Sequence, residues 1–206
     1  MGAEQIVYFT LTSMVLTIAP GPDILYLLTK SLASGFRSGI VLAAGLCSGL
    51  IVHTGLVAGG VATLINGSPL LFQLLKYIGA CYLIYLAILS LKAPSRDIDL
   101  HTNQANLETD GKLYRRGIMM NILNPKVILF FLAFLPQFIN INTGNSFSQI
   151  VILGLIFGIQ AFFIFAIVAY LAGLIREKII AIPDFCRKMD WIQAVVLGCI
   201  AGALLI

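Results

Sequence analysis

Ala19-Pro20-Gly21-Pro22-Asp23 interrupts an apolar run near the start of the chain, and the run resumes at once with Ile24-Leu25-Tyr26-Leu27-Leu28. Each proline removes a backbone donor, and its ring collides with the carbonyl one turn back. Gly21 loosens the same point. The stretch therefore breaks a hydrophobic helix without ending it. Asn124-Pro125-Lys126 repeats the pattern in a second, equally apolar run. In both places a charge follows the proline, Asp23 after Pro22 and Lys126 after Pro125.

Around these breaks the chain is apolar throughout. Of its 206 residues 59% are hydrophobic and 11% charged, whereas an ordinary soluble domain carries ~25% charged residues. Several runs reach the ~20 residues that span ~30 Å of hydrocarbon. A soluble monomer does not tolerate that much exposed apolar surface. The expectation is an all-α, polytopic membrane protein in which the lipid bilayer covers most of the surface. Met1-Gly2-Ala3-Glu4-Gln5 lacks Lys and Arg, and the apolar run outlasts a normal signal-peptide core, so no cleaved leader is expected. The net charge of +4 sits in particular loops and gives no reason to expect a nucleic-acid partner.

Six spans are predicted, over residues 5–28, 39–65, 69–91, 117–138, 147–175 and 191–206. The first and fourth carry the proline breaks. Residues 1–206 are expected to form one transmembrane domain: a three-helix half (1–92), a polar linker (93–116) and a second half (117–206). Lys30, Arg37, Lys92, Arg96, Lys112, Arg115, Arg116, Arg176, Lys178, Arg187 and Lys188 lie in the first, third and fifth loops. The second and fourth loops hold no basic residue, so the positive-inside rule makes the odd loops cytoplasmic. Both termini then face outward.

The halves also resemble one another. Each has a proline-broken first span, then a span with Gly-x-x-x-Gly (Gly45/Gly49 and Gly154/Gly158), then a third. Three spans per half force opposite orientations, the inverted-repeat plan of many secondary transporters. The glycine pairs read as close helix packing; Gly55/Gly59 and Gly198/Gly202 share the spacing.

An intramembrane charge costs ~2.5–3.5 kcal/mol on the insertion scale, so it faces a partner or a wet cavity. Asp23 and Lys126 fall at similar depth, and they are expected to face each other or one cavity. Backbone groups freed around Pro20, Gly21, Pro22, Asn124 and Pro125 would join them in holding a zwitterion. The competing reading is an Asp–Lys pair that only locks the halves together. Asn121 would share the face of Asn124. His53, mid-span, is either a proton-transfer residue or a hydrogen-bonded packing residue. Gln73 and Gln160 are weaker candidates. No enzymatic constellation appears: there is no HExxH, GxSxG or phosphate-cradling loop. Cys47, Cys81, Cys186 and Cys199 are scattered without CxxC, and no metal or other cofactor is expected.

These features resemble the LysE/RhtB family of bacterial amino-acid exporters, the LysE-type translocators, over nearly the whole chain. The residues that carry the resemblance are Ala19 to Asp23, Gly35-Phe36-Arg37-Ser38-Gly39, Asn121 to Lys126, Phe130-Phe131 and Pro136-Gln137-Phe138. The resemblance implies an inner-membrane exporter of small amino acids, driven by proton antiport and assembled as a homodimer. It also implies that Pro20 to Asp23 and Asn124 to Lys126 belong to the translocation site. With one acid, Asp23, countered by Lys126, the site favours a neutral substrate of the threonine/homoserine or branched-chain type. Basic amino acids and other small metabolites are the alternative. A divalent-cation exporter needs more intramembrane acids or histidines, and a thiol–disulfide carrier needs paired cysteines.

Overall fold

The first span stops being one helix at Pro20. The computed structural model describes residues 1–61, 69–94, 108–140, 145–174 and 182–205. α1 (Ala3–Ile18) and α2 (Pro22–Ser34) meet at 57°. Ala19 closes α1 by donating its N–H to the Val15 carbonyl at 2.9 Å, and Gly21 is fully extended at φ −162°. Pro22 then opens α2 at its first position, where the missing donor costs nothing and φ is preset.

α2 runs well past residue 28, the end predicted for the first span. Its stop is Gly35, at φ 84°, a left-handed conformation that glycine adopts without strain. Lys30, expected in a loop, is therefore a helical residue and only 2% exposed.

α3 (Phe36–Leu56) continues into a π-helical turn at Val57–Val61, and α4 covers Pro69–Leu91. α5 (Asp110–Ile122) begins inside the stretch expected to be solvated linker. At Asn124 the chain bends by 49° into α6 (Pro125–Leu129). A π turn at Phe130–Phe134 and a 3-10 turn at Leu135–Phe138 complete this second bent pair. Pro136 explains the irregularity, because it lacks an N–H and its ring crowds the Leu132 carbonyl. α7 is Ser146–Leu174, and α8 is Phe185–Leu205.

α8 starts before residue 191, so its 21 residues suffice to span a bilayer. Arg187, Lys188 and Cys186 thus lie in its first turns. Asp190, which sequence reasoning left outside the spans, is a buried helical residue. Among the described residues four helical segments are long and apolar enough to cross a membrane, and counting each bent pair as one span gives up to six. The protein is an all-helical polytopic membrane protein across its described residues. The predicted second loop, most of the linker and the basic residues Arg96, Arg176 and Lys178 lie outside them.

α3 is the central element, packed along α5 and α7, while α4 pairs with α8. Small residues permit the first contact. A side chain at Gly117 would meet the Leu42 carbonyl at 2.6 Å, and one at Gly49 would meet Asn121 Cβ at 2.8 Å. Gly45 faces the Tyr114 carbonyl in the same seam, and Gly154 is pressed against Thr54. Gly158, Gly55, Gly59, Gly198 and Gly202 instead have open space where a side chain would go. Of the glycines read as packing sites, these five make no close approach within this chain. The outer faces carry exposed Ile51, Leu155, Phe163 and Ile167, as expected where lipid is the solvent.

Candidate functional site

Each proline break frees a carbonyl, and each freed carbonyl is taken by a polar side chain from elsewhere in the chain. In a continuous helix residue 20 would donate to the Leu16 carbonyl, but Pro20 has no N–H. Lys126 Nζ donates to that carbonyl at 3.0 Å and to the Ala19 carbonyl, also at 3.0 Å. Gly21 makes room, since a side chain there would stand 3.2 Å from Nζ. At the second break Pro125 leaves the Asn121 carbonyl without its normal donor. His53 Nε2 lies 3.1 Å from that carbonyl, a hydrogen bond in which the ring nitrogen donates. The Asn124 N–H also turns back to it at 3.0 Å. Within hydrocarbon each unsatisfied backbone group costs several kcal/mol, so these contacts are what make the breaks tolerable.

Asn124 caps α6: its Oδ1 accepts from the Lys126 N–H at 3.0 Å. This sets α6 so that the Lys126 side chain crosses to the first break. Asp23, in the first turn of α2, is 5% exposed and faces Lys126, Asn124 and Asn121. The ammonium's hydrogen bonds go to the two carbonyls, and the carboxylate acts on it through space.

Both breaks open on one cavity between the halves. Leu16 and Thr17 of α1, Asp23 and Ile24 of α2, Leu50 of α3, Asn121, Lys126 and Val127 line it, with Phe157, Ala161 and Phe165 of α7 as the far wall. Its free space is about 20 Å³, room for about one water molecule and far too little for an amino acid.

The polar centre is under-satisfied. Asp23 Oδ1, Asn121 Oδ1, Asn124 Nδ2 and Gln160 Oε1 are buried without a hydrogen-bond partner. Native interiors satisfy nearly all buried polar atoms; of these four residues Asp23 and Asn121 line the cavity, and Asn124 and Gln160 do not. Gln160, a weak candidate in the sequence, is held here by donating Nε2 to Thr17 Oγ1 at 3.0 Å. Gln73 is exposed on the surface. His53 is absent from the cavity lining and stacks near Phe131, with ring centroids 5.5 Å apart.

On one side of the cavity lies an aromatic cluster. Phe130 stacks on Phe134 at 5.1 Å and on Phe157 at 5.3 Å, and Phe9 approaches Phe130 and Phe138 at 5.8 and 5.4 Å. On the other, α2 and α5 carry an ionic cluster that sequence reasoning had placed in loops. Lys30 Nζ is 3.7 Å from Glu108 Oε2, and Arg116 Nη2 is 2.7 Å from Glu108 Oε1. Arg116 Nη1 donates to the Tyr26 hydroxyl at 2.6 Å. No group of three or more His, Cys, Asp or Glu able to hold a metal occurs among the described residues.

The chain is similar to a homoserine/homoserine lactone efflux protein of Salmonella typhimurium, at 40% identity over 71% of this chain and 69% of that protein. It is also similar to a leucine efflux protein of Salmonella choleraesuis, at 32% identity over 66% of this chain and 65% of the relative. No solved structure matches it. A family model described as LysE type translocator matches residues 14–206, which takes in both proline breaks, the cavity and every charged group around it. The chain belongs to the LysE type translocator family.

Proposed function

We propose that the protein is a secondary transporter of the bacterial inner membrane that exports small neutral amino acids in exchange for protons. The observation that carries this reading is the juxtaposition of Asp23 and Lys126, both buried, where two broken helices meet. A zwitterion has one group for each. Three of the four unpaired buried atoms are acceptors, Asp23 Oδ1, Asn121 Oδ1 and Gln160 Oε1, which suits the three N–H bonds of an ammonium. The donor, Asn124 Nδ2, and the Lys126 ammonium suit the carboxylate. The remaining wall of Leu16, Ile24, Leu50, Val127, Phe157 and Phe165 suits an uncharged side chain. A lysine or arginine side chain would bring a second cation there with no acid to meet it. The relatives' names, homoserine and leucine efflux, agree with this chemistry.

The basic residues orient the protein with its odd loops in the cytoplasm and both termini outside. The two bends, 57° and 49°, are consistent with an inverted repeat, three spans per half, opening alternately on either side. Asp23 couples the cycle. Facing the cytoplasm it holds the substrate ammonium; facing outward it exchanges that ammonium for a proton, which the return step carries inward. His53 supports the second break rather than relaying the proton.

Everted membrane vesicles with an acidified lumen turn export into uptake. Labelled homoserine, threonine and leucine should accumulate only while the gradient lasts, and lysine should not. Accumulation of lysine in preference to all neutral amino acids would overturn the proposed substrate class.

A further inference from the structure

We infer that Glu108, clamped by Lys30, Arg116 and Tyr26, is the cytoplasmic gate of the translocation path. The inference rests on the transporter reading above and adds residues that reading does not use. Asp23 and Lys30 lie seven residues apart on α2, hence on nearly the same face, with Tyr26 one turn from Asp23. That face leads from the cavity to the helix end that the surrounding basic residues mark as cytoplasmic.

Across it stands the start of the second half. Glu108 precedes α5, and its carboxylate is bound on one oxygen by Arg116 at 2.7 Å, with Lys30 3.7 Å from the other. The Tyr26 hydroxyl donates to Glu108 Oε2 at 3.4 Å while accepting from Arg116 at 2.6 Å, and the Arg116 guanidinium lies 5.5 Å from the Tyr26 ring centre. The Glu108 and Lys30 side chains are 14% and 3% exposed, so that pair is shielded from screening in a way the exposed Arg37–Asp110 pair is not, while Arg116, at 49%, reaches the cluster from the solvent side. Lys30–Glu108, Tyr26–Glu108 and Arg116–Tyr26 join α2 to the entrance of α5, the two elements that must part if the cavity is to open on this side, while the Arg116–Glu108 pair holds the carboxylate in place from within α5.

The two ends of the path are therefore sealed by different chemistry. Phe9, Phe130, Phe134 and Phe138 close one end by apolar packing, and the other is closed by ion pairs. While the gate is shut these pairs hold it, because a charge separated without water would stand unpaired; once α2 and α5 part, water enters and hydrates the separated charges. This allows an amino acid arriving from the cytoplasm to open the gate without dissolving a hydrophobic seal.

The test reads access to the cavity and needs no transported substrate, so its failure is distinct from failure of the export reading. A single cysteine is placed on the cavity wall by Ile24→Cys, with the four native cysteines replaced by alanine. Its labelling by a membrane-impermeant maleimide is timed in everted and in right-side-out vesicles. Glu108→Gln should raise labelling from the cytoplasmic face roughly tenfold, the change expected on losing a hydrogen bond between charged groups. Tyr26→Phe, which keeps the ring, should raise it by less, and labelling from the outer face should not rise in either variant. Unchanged cytoplasmic labelling in both variants at wild-type membrane content would overturn the gate. So would an equal rise from both faces.

Discussion

At the scale of single residues, Lys126 has two tasks that reinforce each other. Its ammonium fills the carbonyls left by the first break, and it sets a positive charge opposite Asp23. Lys126→Met keeps the length and removes both. Leaving the Leu16 and Ala19 carbonyls unpaired should cost about 1–3 kcal/mol each, seen as a lower Tm in detergent together with loss of export. A Tm equal to wild type would mean that the carbonyls find other partners. The importance of Asp23 and Lys126 was legible because a charge after a proline in an apolar run has few explanations. Lys30, Glu108 and Arg116 were not legible as partners. The first stood past the apolar residues that defined the span, and the other two lay in a polar stretch. The one local clue was Gly35, a helix-stop signal that puts Lys30 inside α2.

At the scale of elements, the two bent helices solve the same problem with different partners. The first break is bridged by Lys126 of the second half, the second by His53 of the first half, so each half completes the other's broken helix. His53→Leu should leave the Asn121 carbonyl with the Asn124 N–H as its one remaining partner and lower stability by about 0.5–1.5 kcal/mol, the net worth of one hydrogen bond. His53→Gln, which still offers a donor, should recover most of that Tm. If both variants lose proton-driven transport while keeping wild-type stability, His53 belongs to the proton path instead. Sequence located both breaks to the residue, since proline acts locally. Which side chains repair them depends on packing between helices some seventy to one hundred positions apart in the chain, which no local pattern encodes. Asp190 was lost for a related reason: α8 begins in a stretch carrying Arg187, Lys188 and Asp190, three charges that hydropathy alone excludes from a span.

At the scale of the whole molecule, a narrow cavity lies near both the aromatic cluster and the ion pairs, around a centre with opposite charges and unpaired acceptors. Such a centre is costly to maintain, and occupation by a zwitterion or a proton would relieve it. The competition of these two for Asp23 is the coupling proposed here. It is tested most directly by following labelled homoserine and proton movement together in everted vesicles with an acid lumen, for wild type and for Asp23→Asn at equal membrane content. Wild type should accumulate homoserine and dissipate the pH gradient as it does so. Asp23→Asn should lose both activities by at least about tenfold, equivalent to ~1.4 kcal/mol, while remaining inserted. Homoserine accumulation driven by the gradient at the wild-type rate in Asp23→Asn would contradict the account, because coupling would then reside elsewhere.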